Sequence, residues 1–382
     1  MASQKHNHYI LVEKEQDLQT VIPEIKNAPA IGVDLEADSM FHYQERVCLL
    51  QLSSPAQNMV IDTISVKDLS PLIPVFSDRD IRKVFHGADY DIRSLFRDFG
   101  IEVNNMFDTQ IASRFLGFRE TSLAGLLKMK FNIHRDKKYQ KKDWSQRPLS
   151  ADMLQYAADD TSHLLPLHDI LGKELQEKGL LFCVEEESGI LSNVRPNPTS
   201  PGPFFLSFKG AAALEPRTLA VLEKLLSFRD QMAKRRDRPH FKVLSNSLIL
   251  EIAKCKPVNK KDLSEIKGLS PGLVKSMGSF LINSVKEGLN IPDGSLPLYP
   301  GRKRVRPDHR QSARIKALKR LGAKLAQELG VDPSIICTNA QIQAIAIANP
   351  EKPEDMMEIP DIRKWQIKLF GEEICRVLRE TG

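Results

Sequence analysis

A short acidic segment near the amino terminus constrains the fold most strongly. Asp34 and Glu36 lie two residues apart in Ile31–Asp38, where small and β-branched residues predict a buried strand. Side chains alternate along a strand, so Val33 and Leu35 face one side and the two acids face the other. Neighbouring buried carboxylates repel each other and lose hydration, which is costly unless a cation pairs with them. The segment therefore predicts a divalent-metal site whose other ligands come from later in the chain.

The segments around this strand alternate between strand and helix patterns as far as about residue 183. Apolar residues at helical spacing between Asp17 and Ile25 predict a helix. Two predicted strands flank a turn at Ser54–Asn58 and form a hairpin, and the pattern beyond Asp108 is mostly helical. The strands predicted besides the acidic one are Tyr9–Val12, Arg46–Leu52, Met59–Asp62 and Lys83–His86. The fold class is therefore α/β with a mixed sheet.

Length, charge and cysteine usage bound the class of protein. The 382 residues exceed one average domain, so two or three domains are expected. A net charge of +6 suits a polyanionic partner without proving one. The five cysteines are far apart and lack CxxC spacing, which argues against a zinc site or disulfide framework and favours a reducing cytoplasm. The polar amino terminus lacks a signal-peptide core, and no apolar run approaches the about 20 residues that span a bilayer. A soluble intracellular protein is expected.

The carboxyl-terminal half contains a repeated helical pattern. Proline and glycine cluster at about 194–213 and 291–306, which predicts two linkers. Val243–Asn246 recurs as Ile336–Asn339, and the similarity continues at one offset without a gap. We interpret this as a duplicated helical module; the alternative is two bundles with similar apolar spacing. The predicted helix N-caps of the two copies are Ser245 and Thr338.

Two further acidic clusters are weak signals when each is taken alone. Asp89 and Asp91 fall at a strand-to-helix junction, where carboxylates often only favour the helix dipole. Tyr156 and Asp160 are four residues apart on a predicted helix and share one face, whereas Asp159 is turned away by about 100°. A tyrosine and an aspartate at this spacing are usually ordinary surface residues.

The combination of the three clusters is more specific. A DxE strand, a helix-start Asp and a YxxxD helix, in this order, resemble the exonuclease motifs of the tyrosine-bearing branch of the DEDD superfamily. Phe107–Gln110 and Asp143–Leu149 look like ribonuclease D, and the two helical modules resemble helicase-and-RNase-D C-terminal (HRDC) domains. The resemblance implies a ribonuclease H-like exonuclease domain with a mixed sheet at 1–195, followed by all-α modules at 214–290 and 309–382. The linkers between them are 196–213 and 291–308.

The same resemblance implies an activity and a site. The activity is metal-dependent 3′→5′ exoribonuclease cleavage that releases nucleoside 5′-monophosphates, with trimming of tRNA precursors and other structured RNA. Hard ions such as Mg²⁺ or Mn²⁺ prefer carboxylate oxygens, and two of them can stabilise both oxygens of a phosphoryl displacement. No membrane and no obligate protein partner are implied. By resemblance the metal ligands are Asp34, Glu36, Asp91 and Asp160, and Tyr156 orients the attacking water.

Neighbouring acids are assigned other roles. Asp89 and Asp159 are interpreted as capping or outer groups, and Asp108 as a helix cap. His86 is interpreted either as a supporting residue of the site or as a satisfied buried histidine.

Candidate RNA contacts come from aromatic and basic residues. The aromatic group Phe41, His42 and Tyr43 follows the first motif and can stack on terminal bases, or it can simply pack the rim of the cleft. Lys138 and Lys141 belong to a lysine-rich stretch before the third motif, with Lys137 and Lys142, which can contact phosphates or form a solvated loop. Two basic runs, Lys234–Arg238 and Arg302–Arg306, carry the same two alternatives.

Three other functions are considered. A 3′→5′ DNA exonuclease of repair type uses the same carboxylates, because discrimination depends on contacts to the 2′-hydroxyl. A noncatalytic nucleic-acid-binding protein is expected to lack a carboxylate or the tyrosine, and all five residues are present here. A helicase is disfavoured because no GxxxxGK[ST] phosphate loop occurs.

Overall fold

The computed structural model describes residues 9–136, 138–196, 202–300 and 308–381. These residues form two compact units. The first, the nuclease unit, contains the described residues within 1–37, 47–196 and 305–382. The second, the small unit, contains those within 38–46 and 197–304. The predicted basic run Arg302–Arg306 and Lys137 lie outside the described residues.

A six-stranded mixed sheet forms the centre of the nuclease unit, which confirms the predicted fold class. Its spatial order is β1-β4-β3-β2-β5-β6. Strands β2, β3 and β4 pair antiparallel as a meander, whereas β1 with β4, β2 with β5 and β5 with β6 pair in parallel. The strands are β1 (Tyr9–Val12), β2 (Ala30–Ala37), β3 (Val47–Ser53), β4 (Asn58–Asp62), β5 (Arg82–Phe85) and β6 (Met106–Asp108).

Sequence patterns located five of these strands and missed β6. Only three residues form β6, too few for a period-two alternation to be visible. Tertiary pairing with β5 creates this strand, since Phe85 aligns with Asp108 across the two. The predicted alternation in β2 is confirmed, because Val33 and Leu35 belong to the main hydrophobic core.

Eight helices accompany the sheet in the nuclease unit. They are α1 (Glu15–Asn27), α2 (Ile73–Ser77), α3 (Asp89–Phe99), α4 (Thr109–Phe115), α5 (Leu123–Phe131), α6 (Ala151–Ser162), α7 (Leu164–Glu177) and α8 (Leu181–Leu191).

The first helical module lies in the small unit. Its helices pack around a core of leucine, isoleucine and valine side chains, with α9 against α13. Segment 38–46, which directly follows β2 in the chain, packs in this unit. The helices are α9 (Pro216–Arg236), α10 (His240–Val243), α11 (Asn246–Cys255), α12 (Lys260–Ser264) and α13 (Pro271–Leu289).

The second helical module shares a hydrophobic core with the nuclease fold. Trp365 packs edge-on against Phe115, with ring centroids 5.2 Å apart. The Trp365 indole N–H donates to Glu187 Oε1 at 2.8 Å, and the backbone N–H groups of Lys364 and Trp365 donate to Glu186. The module comprises α14 (His309–Leu329), α15 (Pro333–Ile336), α16 (Asn339–Ala348) and α17 (Lys364–Thr381).

The repeated sequence forms equivalent helix starts in the two modules. The Ser245 hydroxyl accepts the Leu248 N–H at the start of α11, and Thr338 accepts the Gln341 N–H at the start of α16, each at 3.3 Å. Both predicted N-caps are confirmed. The predicted domain boundaries themselves stay a prediction. None of the helices within the described ranges is both long and apolar enough to cross a bilayer.

Candidate active site

Strand β2 and helix α6 bring most of the predicted site residues to one cleft. Asp34 and Glu36 project from β2, and Tyr156 and Asp160 from the face of α6 that packs over β2 and β3. All four line a cleft of about 340 Å³. Helix α6 begins at a Ser150 cap, whose hydroxyl accepts the Met153 N–H. The predicted convergence of a DxE strand with a YxxxD helix is therefore present in the fold.

Asp91 lies in the first turn of α3 and is buried, without lining that cleft. Burial, together with the charges of Asp108 and Asp89, raises the pKa of Asp91 to about 7. Its own charge acts on Asp34 and Glu36, so the helix-start acid belongs electrostatically to the β2 pair.

Burial, and then repulsion between neighbouring carboxylates, governs the electrostatics of the site. Burial, and next the charge of Asp91, raise the pKa of Asp34 to about 8. Burial and the neighbouring carboxylates likewise raise the pKa of Glu36 and of Asp160 well above their ordinary values. The four acids therefore resist ionising together at neutral pH, and a bound cation would favour their charged forms.

The donor set fits a hard divalent cation. Four carboxylates supply only oxygen ligands, which Mg²⁺ and Mn²⁺ prefer over nitrogen or sulfur. In the described parts of the chain, no three His, Cys, Asp or Glu side chains already stand together as a ready ligand group.

Aromatic and basic side chains enclose Tyr156. Its ring lies 5.6 Å from Tyr139 in an edge-on arrangement and 6.3 Å from Trp144. Burial, followed by the charges of Asp160 and Glu36, raises the pKa of Tyr156 above its ordinary value of 10. The hydroxyl therefore stays protonated at neutral pH and is a hydrogen-bonding group rather than a free base.

Loop 143–149 holds the start of α6 and the wall beside Tyr156. Arg147 donates to both carboxylate oxygens of Asp62 at the end of β4, and to the carbonyls of Cys48 and Trp144. Trp144 is almost fully buried. From sequence, this loop was informative only through its resemblance to ribonuclease D, because nothing in the local pattern shows that Arg147 reaches β4.

Two polar residues of the site were missed from sequence. Arg135 lies in the loop between α5 and α6, and its Nη2 is 2.9 Å from Asp160 Oδ1. Gln51 on β3 lies directly opposite Asp34, is fully buried, and its amide has no hydrogen-bond partner within the described ranges. The signal for Arg135 was its place in the basic stretch; the signal for Gln51 was a polar residue inside an apolar strand.

Comparisons with known proteins agree with this geometry. A family model described as 3′-5′ exonuclease matches residues 9–176, and the HRDC domain model matches 218–285 and 311–378. Ribonuclease D of Gluconacetobacter diazotrophicus is 30% identical over 373 residues, which cover 95% of this chain and 91% of that protein. Ribonuclease D of Bartonella henselae is 29% identical over 97% of this chain and 90% of its own. The chain belongs to the ribonuclease D family.

A solved structure of the family extends the match to the whole fold. The crystal structure of Escherichia coli RNase D, described as an exoribonuclease involved in structured RNA processing, aligns with a TM-score of 0.73 and 25% identity. The alignment covers 97% of this chain and 99% of that chain. Like the other members of the ribonuclease D family, this chain is a 3′→5′ exoribonuclease, and the family uses divalent metal ions. The DNA-exonuclease and noncatalytic alternatives gain no support from these relatives.

The neighbouring acids Asp89, Asp159 and Asp108 form local hydrogen bonds or ion pairs. Asp89 is exposed and pairs with Arg93 one turn later, at 2.8 Å, which lowers its pKa. Asp159 is exposed and accepts from the Gln155 amide. Asp108 caps α4 by accepting the Gln110 and Ile111 N–H groups, which confirms the capping prediction. It also accepts the Gly87 and Ala88 N–H groups, and so fixes the turn before Asp91.

His86 lies at the edge of the same cleft. Its Nδ1 is 2.9 Å from the Thr109 hydroxyl, and the ring also interacts with the backbone of Thr121. Burial lowers the pKa of His86, although the charge of Asp108 opposes this. The imidazole is therefore neutral at physiological pH.

The predicted RNA-binding residues fall in two places. Phe41, His42 and Tyr43 pack in the small unit, where His42 Nδ1 and the Tyr43 backbone N–H contact Asp237 at 2.7 and 3.1 Å. The Tyr43 hydroxyl donates to Asp230 at 2.8 Å, and Lys242 Nζ lies 4.0 Å from the Phe41 ring centroid. Of the predicted lysines, Lys138, Lys141 and Lys142 are exposed in the nuclease unit, and Lys138 lines a groove of about 450 Å³ with Tyr156.

Proposed function

We propose that this chain shortens structured RNAs, tRNA precursors among them, one nucleotide at a time from the 3′ end. The reaction uses two divalent metal ions, Mg²⁺ or Mn²⁺, held by Asp34, Glu36, Asp91 and Asp160. Tyr156 orients the attacking water. The observation that carries the proposal is the meeting of Asp34, Glu36, Tyr156 and Asp160 in one cleft, next to the buried Asp91 whose charge acts on Asp34 and Glu36.

Hydrolysis of a phosphodiester needs compensation of the charge that develops on phosphate. Bound divalent ions would supply this compensation and acidify the attacking water. The protein contributes the positions: β2 fixes Asp34 and Glu36, and α6 fixes Asp160 four residues from Tyr156. The cleft of about 340 Å³ accommodates a terminal nucleotide better than a folded RNA helix, which favours attack on a frayed 3′ end.

Tyr156 acts through its protonated hydroxyl. Burial and the charges of Asp160 and Glu36 raise the pKa of Tyr156 above 10. The phenol therefore donates or accepts a hydrogen bond without losing its proton. A residue in that state positions the water that a carboxylate-rich site activates. This is the division of labour expected when the nearby acids hold the cations.

Basic residues beside the cleft guide the RNA backbone. Lys138 lines the groove that also contains Tyr156, and Lys141 is exposed in the same loop, so both can contact phosphates. Base stacking by Phe41, His42 and Tyr43 stays a prediction, since their contacts with Asp237, Asp230 and Lys242 are also those of a packed structural segment. A cytoplasmic location and the absence of an obligate protein partner likewise stay predictions.

The decisive experiment compares two nucleic acids with and without a chelator. Purified protein is incubated with a 3′-extended tRNA and with single-stranded DNA of matched length, in Mg²⁺, in Mn²⁺ and in EDTA. We expect metal-dependent, stepwise release of nucleoside 5′-monophosphates from the RNA. The variant Asp160→Asn serves as the inactive control, and Asp159→Asn as the active one.

Three results would contradict the proposal. Degradation of DNA alone would assign the activity to a DNA exonuclease. Full activity in EDTA would remove the metal from the mechanism. Shortening of unstructured RNA with no trimming of the tRNA extension would support the exoribonuclease activity but contradict the proposed structured-RNA substrate.

A further inference from the structure

Arg135 occupies a central position in the acidic cleft. It belongs to the loop between α5 and α6, and its Nη2 lies 2.9 Å from Asp160 Oδ1. The same guanidinium donates to the backbone carbonyls of Tyr156, at 3.2 Å, and of Asp159. The side chains of Arg135 and Asp160 are only 10% and 12% exposed. The pair is therefore a built contact and not a solvated surface encounter.

Arg135 also covers the other functional residue of α6. Its guanidinium carbon lies 5.2 Å from the centroid of the Tyr156 ring. One cation thus contacts both ends of the YxxxD motif and donates to the helix backbone between them. Its positive charge acts in addition on Asp34 and Glu36 across the cleft, so it offsets part of the repulsion on β2.

The Arg135 guanidinium and a divalent ion would compete for the Asp160 carboxylate. Like charges a few ångströms apart in a partly buried cleft repel strongly, because water screens them poorly. Asp160 cannot serve both cations at full strength, since its Oδ1 is already engaged by Arg135.

We propose that Arg135 is a built-in counter-ion of the metal-free site, which must release Asp160 before a divalent cation binds there. This inference rests on the proposed metal ligands. Arg135 then sets the metal concentration at which the enzyme becomes active, and it keeps the acidic cleft folded when metal is scarce. The side chain has room to move, because Arg135 also borders the adjacent groove of about 450 Å³.

Manganese binding measures the competition directly. Isothermal titration with Mn²⁺ alone, without RNA, compares the wild type with Arg135→Gln, Arg135→Lys and Asp160→Asn. Lys128→Gln is the matched control, since it removes one positive charge from an exposed position on α5 outside the cleft. Circular dichroism and thermal melting verify that each variant is folded. The substitution Arg135→Lys keeps the charge and loses the planar fork, so it tests whether charge or geometry matters.

We expect Arg135→Gln to bind Mn²⁺ about tenfold more tightly than the wild type, as removal of one nearby like charge implies. Lys128→Gln should match the wild type, Arg135→Lys should lie between, and Asp160→Asn should bind more weakly. Equal or weaker binding by Arg135→Gln, with weaker binding by Asp160→Asn, overturns the counter-ion role and leaves the metal site intact. Unchanged binding by Asp160→Asn refutes the proposed metal ligands, and the counter-ion role with them.

Discussion

The guanidinium of Arg147 holds both carboxylate oxygens of Asp62, with Nε–Oδ2 and Nη2–Oδ1 distances of 2.6 Å. Asp62 ends β4 and is almost fully buried, whereas Arg147 stands just before α6. This bidentate pair ties the sheet to the loop that carries Trp144. It therefore positions the wall beside Tyr156 from a residue outside the acidic cleft.

Loss of this pair should weaken both the fold and the reaction. We expect Arg147→Gln to lower the free energy of unfolding by about 2 kcal/mol, because it leaves a buried carboxylate with fewer partners. Urea denaturation measures the change, and Lys324→Gln, which removes a cation from an exposed ion pair, should have almost no effect. An unchanged unfolding midpoint in Arg147→Gln would contradict the anchoring role.

The Asp62 pair also predicts a pH dependence. Burial would raise the pKa of Asp62, but the hydrogen bonds and charge of Arg147 outweigh it and lower the pKa below 3.8. A carboxyl whose folded-state pKa is lowered stabilises the fold above its unfolded value, and this contribution is lost as pH falls through the folded-state pKa. Wild type and Arg147→Gln should therefore converge in stability as the pH falls below about 4.

The acids of the cleft predict the opposite pH dependence for the metal-free protein. Asp34 and Asp91 titrate near 8 and 7 in the fold and near 3.8 when unfolded. The folded state therefore binds more protons between about pH 4 and 8, so stability falls as pH rises through this range. The melting temperature in EDTA should fall by a few degrees from pH 5 to pH 8, and added Mn²⁺ should restore it. A flat EDTA profile would show that these acids do not repel one another.

Tyr156→Phe should separate catalysis from binding. Removal of the hydroxyl leaves the ring contacts with Tyr139 and Trp144, so the fold and RNA affinity should be nearly unchanged. Turnover should fall about a hundredfold, since the attacking water loses its orienting partner. Steady-state kinetics measures kcat and KM separately. A KM effect with unchanged kcat would move Tyr156 from positioning water to binding substrate.

Adjacent acids provide a matched test of the metal ligands. Asp91→Asn should abolish turnover and raise the melting temperature of the metal-free protein, because it removes an uncompensated buried charge. Asp89→Asn alters an exposed ion pair two residues away and should retain activity and stability. Nuclease assays and melting in EDTA give both readouts. Activity in Asp91→Asn comparable to Asp89→Asn would exclude Asp91 from the site.

Local patterns predicted what depends on local geometry. The two faces of β2 follow from a period of two residues, so the placement of Asp34 and Glu36 opposite the core was visible in sequence. The caps Ser245 and Thr338 depend on contacts three residues away and were equally accessible. The catalytic roles of the acids and of Tyr156 came from the resemblance to known motifs, because no local pattern predicts that α6 packs over β2.

Other features depend on partners distant in the chain. The module predicted at 309–382 shares its core with the nuclease fold, since Trp365 packs on Phe115 and its indole N–H donates to Glu187. Strand β6 forms only because β5 offers an unpaired edge. Neither feature produces a periodic pattern in the sequence. The first depends on single side chains, and the second on a strand of only three residues.

The sequence predicted a nuclease site from two acids on β2 and a YxxxD helix, since both patterns are visible within a few residues. The contact between Arg135 and Asp160 became visible only in the folded chain. Arg135 lies in a basic stretch whose residues looked alike, and the course of the loop between α5 and α6 brings its guanidinium to Asp160. Repulsion between the carboxylates of β2 and α6 depends on their separation in the folded protein. A cation offsets this repulsion only if the fold brings it close to them.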